Sequence, residues 1–228
     1  MASSYLLPLG SGTGSSGDAE NGSVHAGPFS RVARPLTVPM RAEIAALVGR
    51  FGTPITREIP LDDIAFDPVG NPSRFAEVCM VVRRPSGHVL LSIKTFYPRG
   101  AYRLPTGGID RDEPILDAVL RETLEETGLA VNVTRFLAAL TYRDGSTGPP
   151  VFHTFAFLLD DPSGAPVTPL DQHEQIESYR EVPLSELPHV AERLDRIPAD
   201  GAPGIANWDA WGRFRAHVHR VTHEALTP

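Results

Sequence analysis

Strand and helix patterns interleave between about residues 70 and 195, β-rich runs are joined by hairpin signals, and amphipathic helices stand at both ends. Together these predict an α/β sandwich on a mixed β-sheet, one domain carrying helical additions at each end. Residues 1–39 are rich in Gly, Ser and Pro without helical or strand period, and read as a disordered tail. Gly12, Gly14 and Gly17 form a lone G-x-G-x-x-G there, but no strand precedes it and no helix follows, so it is not a dinucleotide site. Met40 opens the first periodic segment, which suggests a native start at that residue; an N-terminal peptide from 1–39 in mass spectra of the native protein would exclude it.

Residues 40–69 form an extension. RAEIAALVGRF is a short helix with Ile44, Leu47, Val48 and Phe51 on one side, stopped by Gly52 and Pro54. ITREI reads as a strand and DDIAFDPVGNP as a loop. The domain at 70–195 opens with FAEVCMVVRR and HVLLSIKTF, joined as a hairpin by PSG. A loop with a short strand, YRL, leads to LPTGG and a helix whose start is marked by Asp112 or Glu113 as cap and Pro114 in the first turn. Ile115, Leu116, Val119, Leu120 and Leu124 give that helix an apolar side, and Gly128 suits its left-handed stop. Strands follow at about 131–142, 151–159 and 176–182, then a short helix near Ser185. In 196–228 Trp208, Trp211, Phe214, Val218, Val221 and Ala225 recur at helical spacing, a long helix packed on the same domain. Phe152, Phe155 and Phe157 read as core.

A formal charge of −7 argues against a nucleic-acid polymer as partner, because phosphate tracks need clustered Lys and Arg. It leaves a small phosphorylated substrate open, since a bound divalent cation supplies positive charge. Cys79 is the only cysteine and lies in the apolar run VCMVV, so it reads as a small buried hydrophobe. No apolar run approaches the roughly 20 residues that cross a membrane, and MASSYLLPLGSG lacks the basic start of a signal peptide. A soluble cytoplasmic protein is expected.

The chemistry concentrates in GGIDRDEPILDAVLRETLEETGL. Glu122, Glu125 and Glu126 share one helix face, where like charges cost roughly 0.2–0.5 kcal/mol per pair. They also occupy the last turn, where the helix dipole disfavours anions. A glycine-bearing loop just upstream brings backbone carbonyls near. Carboxylate and carbonyl oxygens are the ligands Mg²⁺ or Mn²⁺ prefers, and a cation would remove the repulsion.

The stretch resembles the Nudix hydrolase signature, G-x5-E-x7-R-E-U-x-E-E-x-G-U with U aliphatic. Gly107, Glu113, Arg121, Glu122, Glu125, Glu126, Gly128 and Leu129 fall at its spacings; Thr123 departs from it, standing where an aliphatic residue is usual. The resemblance spans about 70–195 and implies a Nudix-type α/β/α sandwich. It implies metal ligation by Glu122, Glu125 and Glu126, with the Thr106 carbonyl as a further ligand. Glu113 would reach the metal through water or pair with Arg121. The catalytic set it implies is Glu122, Glu125 and Arg121, with a general base on the loop before the last strand. Glu174 and Glu177 are the candidates there, and Glu174, which precedes the strand, is preferred.

The reaction implied is hydrolysis of the pyrophosphate bond of a nucleoside diphosphate linked to another group, with Mg²⁺ or Mn²⁺. Lys94, Arg99 and Arg103 would grip substrate phosphates, and Tyr97 or Tyr102 would stack on a base. His217, His219 and His223 lack the glutamate of H-E-x-x-H and read as a helix surface beside Arg213, Arg215 and Arg220. No G-x-S-x-G elbow is present. A ligand-sensing regulator on the same fold is the alternative, but the glutamate set is intact and no basic DNA-binding domain is attached. A prenyl diphosphate isomerase ranks last, because Cys79 lies within a strand. Pro149 and Pro150 lie too far out to mark an ADP-ribose-type substrate, so the substrate stays open. Homodimerisation through the terminal helices is left open as well.

Overall fold

The computed structural model describes residues 33–203 and 206–227. Most of the expected N-terminal tail lies outside these residues. Helix α1 (Val38–Phe51) begins two residues before Met40, because the Thr37 side chain accepts from the Met40 N–H and Pro39 stands in the first turn. Arg34 ties the preceding segment down, its backbone N–H donating to the Pro150 carbonyl at 2.7 Å.

Strands β1 (Ile55–Leu61), β2 (Ala76–Arg83), β3 (Val89–Lys94), β4 (Thr106–Gly108), β5 (Asn132–Asp144), β6 (Pro150–Asp160) and β7 (Ile176–Val182) form one sheet. Its order is β1-β5-β6-β2-β3-β7, with β4 paired to β2. The pairs β1/β5 and β2/β6 are parallel and the others antiparallel, so the sheet is mixed as expected. LPTGG is more than a loop: its Thr106–Gly108 segment is a strand, with Thr106 opposite Cys79. The YRL segment makes a single bridge, Arg103 to Ser92.

Strand β2 is buried on both faces, and its alternation assigns each face to a helix layer. Val78, Met80 and Val82 join the core beneath α1 and α2 (Ile115–Thr127). Cys79 and Val81 join the core beneath α3 (Leu187–Asp195) and α4 (Trp208–Leu226). The architecture is therefore α/β/α. Phe152 lies in the second core and Phe155 and Phe157 in the first, as their alternation requires.

Helix α2 departs from expectation in two ways. Neither Asp112 nor Glu113 caps it. Pro114 is the cap residue, Asp112 adopts a left-handed φ of 64°, and Glu113 turns back to accept from the Asp110 N–H. The Leu116 N–H, which has no partner within the helix, is met instead by the Glu43 carboxylate of α1 at 3.3 Å. Second, Leu120 and Leu124 face solvent, at 40% and 45% exposure. The buried face consists of Ile115, Ala118, Val119, Glu122, Thr123, Glu126 and Thr127. Small residues bring α2 close to the sheet, and Thr123 keeps its hydroxyl satisfied by donating to the Val119 carbonyl at 2.6 Å. This is how a threonine serves at the position where an aliphatic residue is usual.

Candidate metal-binding and catalytic site

Strand β4 delivers the backbone of Thr106 and Gly107 against the glutamate face of α2. A Cβ on Gly107 would lie 2.0–2.2 Å from the side-chain carbons and Oε2 of Glu122, so only glycine allows this approach. Arg121 ties the arrangement together. Its Nε donates to Glu113 Oε1 at 2.7 Å and its Nη2 to Glu113 Oε2 at 2.8 Å, a two-pronged pair. Nη2 also donates to the Gly108 carbonyl at 3.0 Å, while Nη1 reaches Glu122 Oε1 and Glu125 Oε2, both at 2.9 Å. The expected Glu113–Arg121 pair is therefore present and holds loop to helix. Hydrogen bonds from Arg121 keep the Glu113 carboxyl below its ordinary range.

Burial pushes the Glu122 carboxyl up to about 7, against the pull of Arg121 and with added repulsion from Glu126 and Glu174. Burial also raises Glu126, which is 1% exposed. Neither Glu126 oxygen accepts a hydrogen bond, although Lys94 Nζ stands 3.3 Å from Oε1. Lys94 donates to Glu174 Oε2 at 2.7 Å. Burial alone would raise Glu174, but the Lys94 hydrogen bond and charge hold it below the ordinary carboxylate range. Glu174 sits at the end of a 3₁₀ turn (Gln172–Glu174) and belongs to this cluster. Glu177 is exposed on β7.

A hard divalent cation suits this donor set: orphaned carboxylate oxygens and an adjacent strand backbone. Among the described residues, however, no three acidic, His or Cys side chains converge on one coordination point as they stand. Glu122 and Glu125 are turned onto Arg121, and Glu126 faces Lys94.

A cavity of about 160 Å³ adjoins the cluster, with Lys94 and Thr106 on its wall. Its aromatic lining comes from Phe66, Phe96, Tyr97, Trp208 and Trp211. Arg103, fully buried, points its Nε and Nη2 at the Tyr97 hydroxyl, at 3.2 and 2.8 Å, and its Nη1 at the Leu104 carbonyl. Of the residues expected to contact substrate, Lys94, Tyr97 and Arg103 line this cavity. Arg99 is exposed and is not on its wall. Tyr102 bonds Ser178 at 2.6 Å and lies under Arg180, lining a separate depression of about 350 Å³ that includes no member of the glutamate cluster.

The histidine helix is not the surface its sequence suggests. His219 and Arg215 are buried. His219 Nδ1–H donates to the Arg215 carbonyl at 2.8 Å and Nε2 accepts from the Leu104 N–H at 2.9 Å, so the ring is neutral, and burial pushes its pKa down to about 3. It props the strand that leads into LPTGG. Arg215 Nη1 donates to both Glu77 oxygens, at 2.7 and 2.8 Å. Helical spacing marks Trp208, Trp211 and Phe214 as apolar, but nothing in the sequence says that the first two wall a cavity beside the glutamates.

The NUDIX domain family model matches residues 73–202, more than half of the chain. Among curated proteins none matches at a significant level. Similar solved structures include a MutT protein from Methanosarcina mazei Go1, 20% identical over 64% of this chain and 94% of that one, with a TM-score of 0.37. A C. elegans Ap4A hydrolase binary complex is 21% identical over 52% and 86%, TM-score 0.41. A NUDIX hydrolase from Nitrosomonas europaea is 24% identical over 52% and 78%, TM-score 0.41. With the matched region running from the start of β2 past α3 and enclosing the whole glutamate helix, the chain belongs to the NUDIX domain family.

Proposed function

We propose that this NUDIX-domain pyrophosphohydrolase is metal-dependent and cleaves the pyrophosphate bond of a nucleoside diphosphate linked to another moiety. The observation that carries the reading is the burial of carboxyl groups on α2, with both Glu126 oxygens lacking a hydrogen bond. Glu122 and Glu126 are buried carboxylates with raised proton affinity. Glu113, Glu122, Glu125, Glu126 and Glu174 when ionised outnumber the cations paired with them, Arg121 and Lys94, and a divalent ion would offset that imbalance. Glu122, Glu125, Glu126 and the Thr106 carbonyl would hold Mg²⁺ or Mn²⁺, with Glu113 fixing Arg121 behind them. The cation when bound supplies positive charge to the pyrophosphate and acidifies water.

The protein's own contribution is orientation and desolvation. Arg121 and Gly107 keep the carboxylates in register with the backbone of β4. Tyr97, Arg103, Trp208 and Trp211 line the adjoining cavity, a mixed aromatic and basic lining suited to a nucleobase with its attached oxygens. The cavity takes one part of such a substrate, being smaller than the roughly 300–1,000 Å³ of sites that enclose a whole ligand. Glu174, inside the cluster, is a better placed base than exposed Glu177. No helix among the described residues is long and apolar enough to cross a membrane.

The test is phosphate or pyrophosphate release from a panel of nucleoside diphosphate derivatives with Mg²⁺ or Mn²⁺, beside Glu125→Gln and Glu126→Gln. Turnover lost in both variants is the expected result. Wild-type rates matching both variants on every substrate would overturn the proposal in favour of a ligand-sensing role. Glu174→Gln is expected to slow the best substrate far more than Glu177→Gln.

A further inference from the structure

Lys94 is the only lysine among the chain's 21 basic residues, and it stands inside the carboxylate cluster. Its position is built. Between Ile93 and Lys94 the ladder from β3 to β7 shifts register: Glu177 on β7 has no partner in the ladder, and Lys94 stands opposite Ile176, beside the turn that carries Glu174. The Thr95 N–H, bonded to the Gln175 carbonyl, pins the backbone on the far side. From there the ammonium reaches Glu174 at 2.7 Å and Glu126 Oε1 at 3.3 Å, with the lysine side chain 15% exposed. Elsewhere among the described residues the ion pairs to carboxylates are made by arginine, at Glu77, Glu113 and Asp160 among others, and at Glu186 also by His189. A guanidinium is a planar fork, whereas an ammonium is a compact point charge on a flexible stem, closer in size and field to a small cation.

We infer that Lys94 is the resident counter-ion of the site: its ammonium holds the place between Glu126 and Glu174 that a divalent cation contends for, and metal loading releases it to the adjoining cavity. The inference rests on the metal-dependent reading above. Two facts support it. Glu126 is buried and has Lys94 as its sole ion-pair partner among the described residues, so without Lys94 the metal-free protein would hold an uncompensated carboxylate. Lys94 also lines the cavity beside the cluster, so a short swing of its stem moves the ammonium from carboxylate to the space where a substrate oxyanion would lie. One charge thus serves two states, neutralising the empty cluster and then facing the substrate.

The sign of its effect on metal affinity separates this role from simple support. A lysine that merely orients Glu126 for ligation would, on removal, weaken metal binding. A resident counter-ion would, on removal, strengthen it, because a competing positive charge is gone and the empty site is left repulsive.

Two measurements test the inference without turnover. In wild-type protein an amine-reactive reagent, read by peptide mass, labels one lysine apart from the N-terminus; labelling of Lys94 is expected to run several-fold faster in Mn²⁺ than in EDTA. In Lys94→Met, Mn²⁺ titration followed by electron paramagnetic resonance is expected to give a dissociation constant lower by about tenfold, the change that a modest loss of charge repulsion produces. Labelling that is unchanged or slower in Mn²⁺, or a Kd in Lys94→Met that is equal or higher, overturns the inference. Should Lys94→Met fail to fold, the labelling of wild-type protein decides. Wild-type protein that binds no Mn²⁺ at all would instead sink the metal-dependent reading itself, a different outcome from Mn²⁺ binding that leaves Lys94 in place.

Discussion

Gly107 and Arg121 control the site from opposite sides. At Gly107 any Cβ would overlap the Glu122 carboxyl, so Gly107→Ala must displace either the glutamate or β4. We expect it to cost about 1–3 kcal/mol of stability, the usual range for overpacking, and to weaken Mn²⁺ binding as well. Thermal melts in EDTA and a Mn²⁺ titration check the two effects. Arg121 touches Glu113, Glu122, Glu125 and the Gly108 carbonyl at once. Lysine keeps the charge but not the fork, so Arg121→Lys is expected to remain folded while turnover falls about 10–100-fold, the range seen when the partners of metal ligands are altered. Circular dichroism beside initial rates distinguishes that result from unfolding. These two residues were legible through the resemblance to the Nudix signature, because Gly107, Glu113, Arg121 and the three glutamates lie at its spacings within one loop and one helix. Lys94 was legible only as a basic residue near a loop; its partner Glu174 stands 80 positions away, and no local pattern encodes that distance.

Among the elements, α2 and α4 show how periodicity succeeds and where it stops. The period correctly identified both helices, and in α4 it identified the buried face through Trp208, Trp211, Phe214, Val218 and Val221. In α2 the apolar stripe misled, because Leu120 and Leu124 are exposed while Thr123, Glu126 and Thr127 are buried. A helix that must present carboxylates to a backbone strand cannot also turn its widest apolar face to the sheet. For α4 the period spoke of burial and was silent on function. Its buried arginine and histidine reach Glu77 and Leu104, and its tryptophans wall the cavity. Each of its large apolar side chains contributes about 1.5–3 kcal/mol by burial, so their sum rivals the roughly 5–15 kcal/mol that holds a whole domain. A chain ending before Trp208 is therefore expected to lose cooperative thermal unfolding, as read by calorimetry, although the NUDIX match ends at residue 202.

For the molecule as a whole, two buried groups set opposing pH dependences in the metal-free protein. His219, pushed down to about 3 in the fold from an ordinary 6.5, takes up its proton in the unfolded chain first. Its contribution is intact above pH 6.5 and is lost as pH falls from 6.5 toward 3. Glu122, pushed up to about 7 from 4.5, binds its proton in the folded chain first. That contribution is full below 4.5 and is lost as pH rises through 7. Between about 4.5 and 6.5 the two slopes oppose one another, each at most about 1.4 kcal/mol per pH unit. Urea melts across pH in EDTA are expected to show His219→Gln losing less stability than wild type on going from pH 6.5 to 4. Over pH 5 to 8, Glu122→Gln is expected to gain stability relative to wild type. Parallel curves for wild type and either variant would contradict the assignment for that residue.

By itself the sequence determined the mixed α/β class, a helix from about Pro114 to the Gly128 stop, the three glutamates on its face and the family they resemble. The elements and the shared glutamate face follow from spacing over a few positions, which helix and strand geometry turn directly into direction, and the family follows from the resemblance of the glutamate helix and its loop to the Nudix signature. Only the tertiary structure decided that Lys94 stands between Glu126 and Glu174, that Arg215 neutralises Glu77, and that Trp208 and Trp211 close the cavity. Those contacts arise from the order β1-β5-β6-β2-β3-β7 and from the faces onto which the helices fold back. Strand order is a matter of which distant surfaces bury each other best, and residue spacing along the chain carries no measure of that.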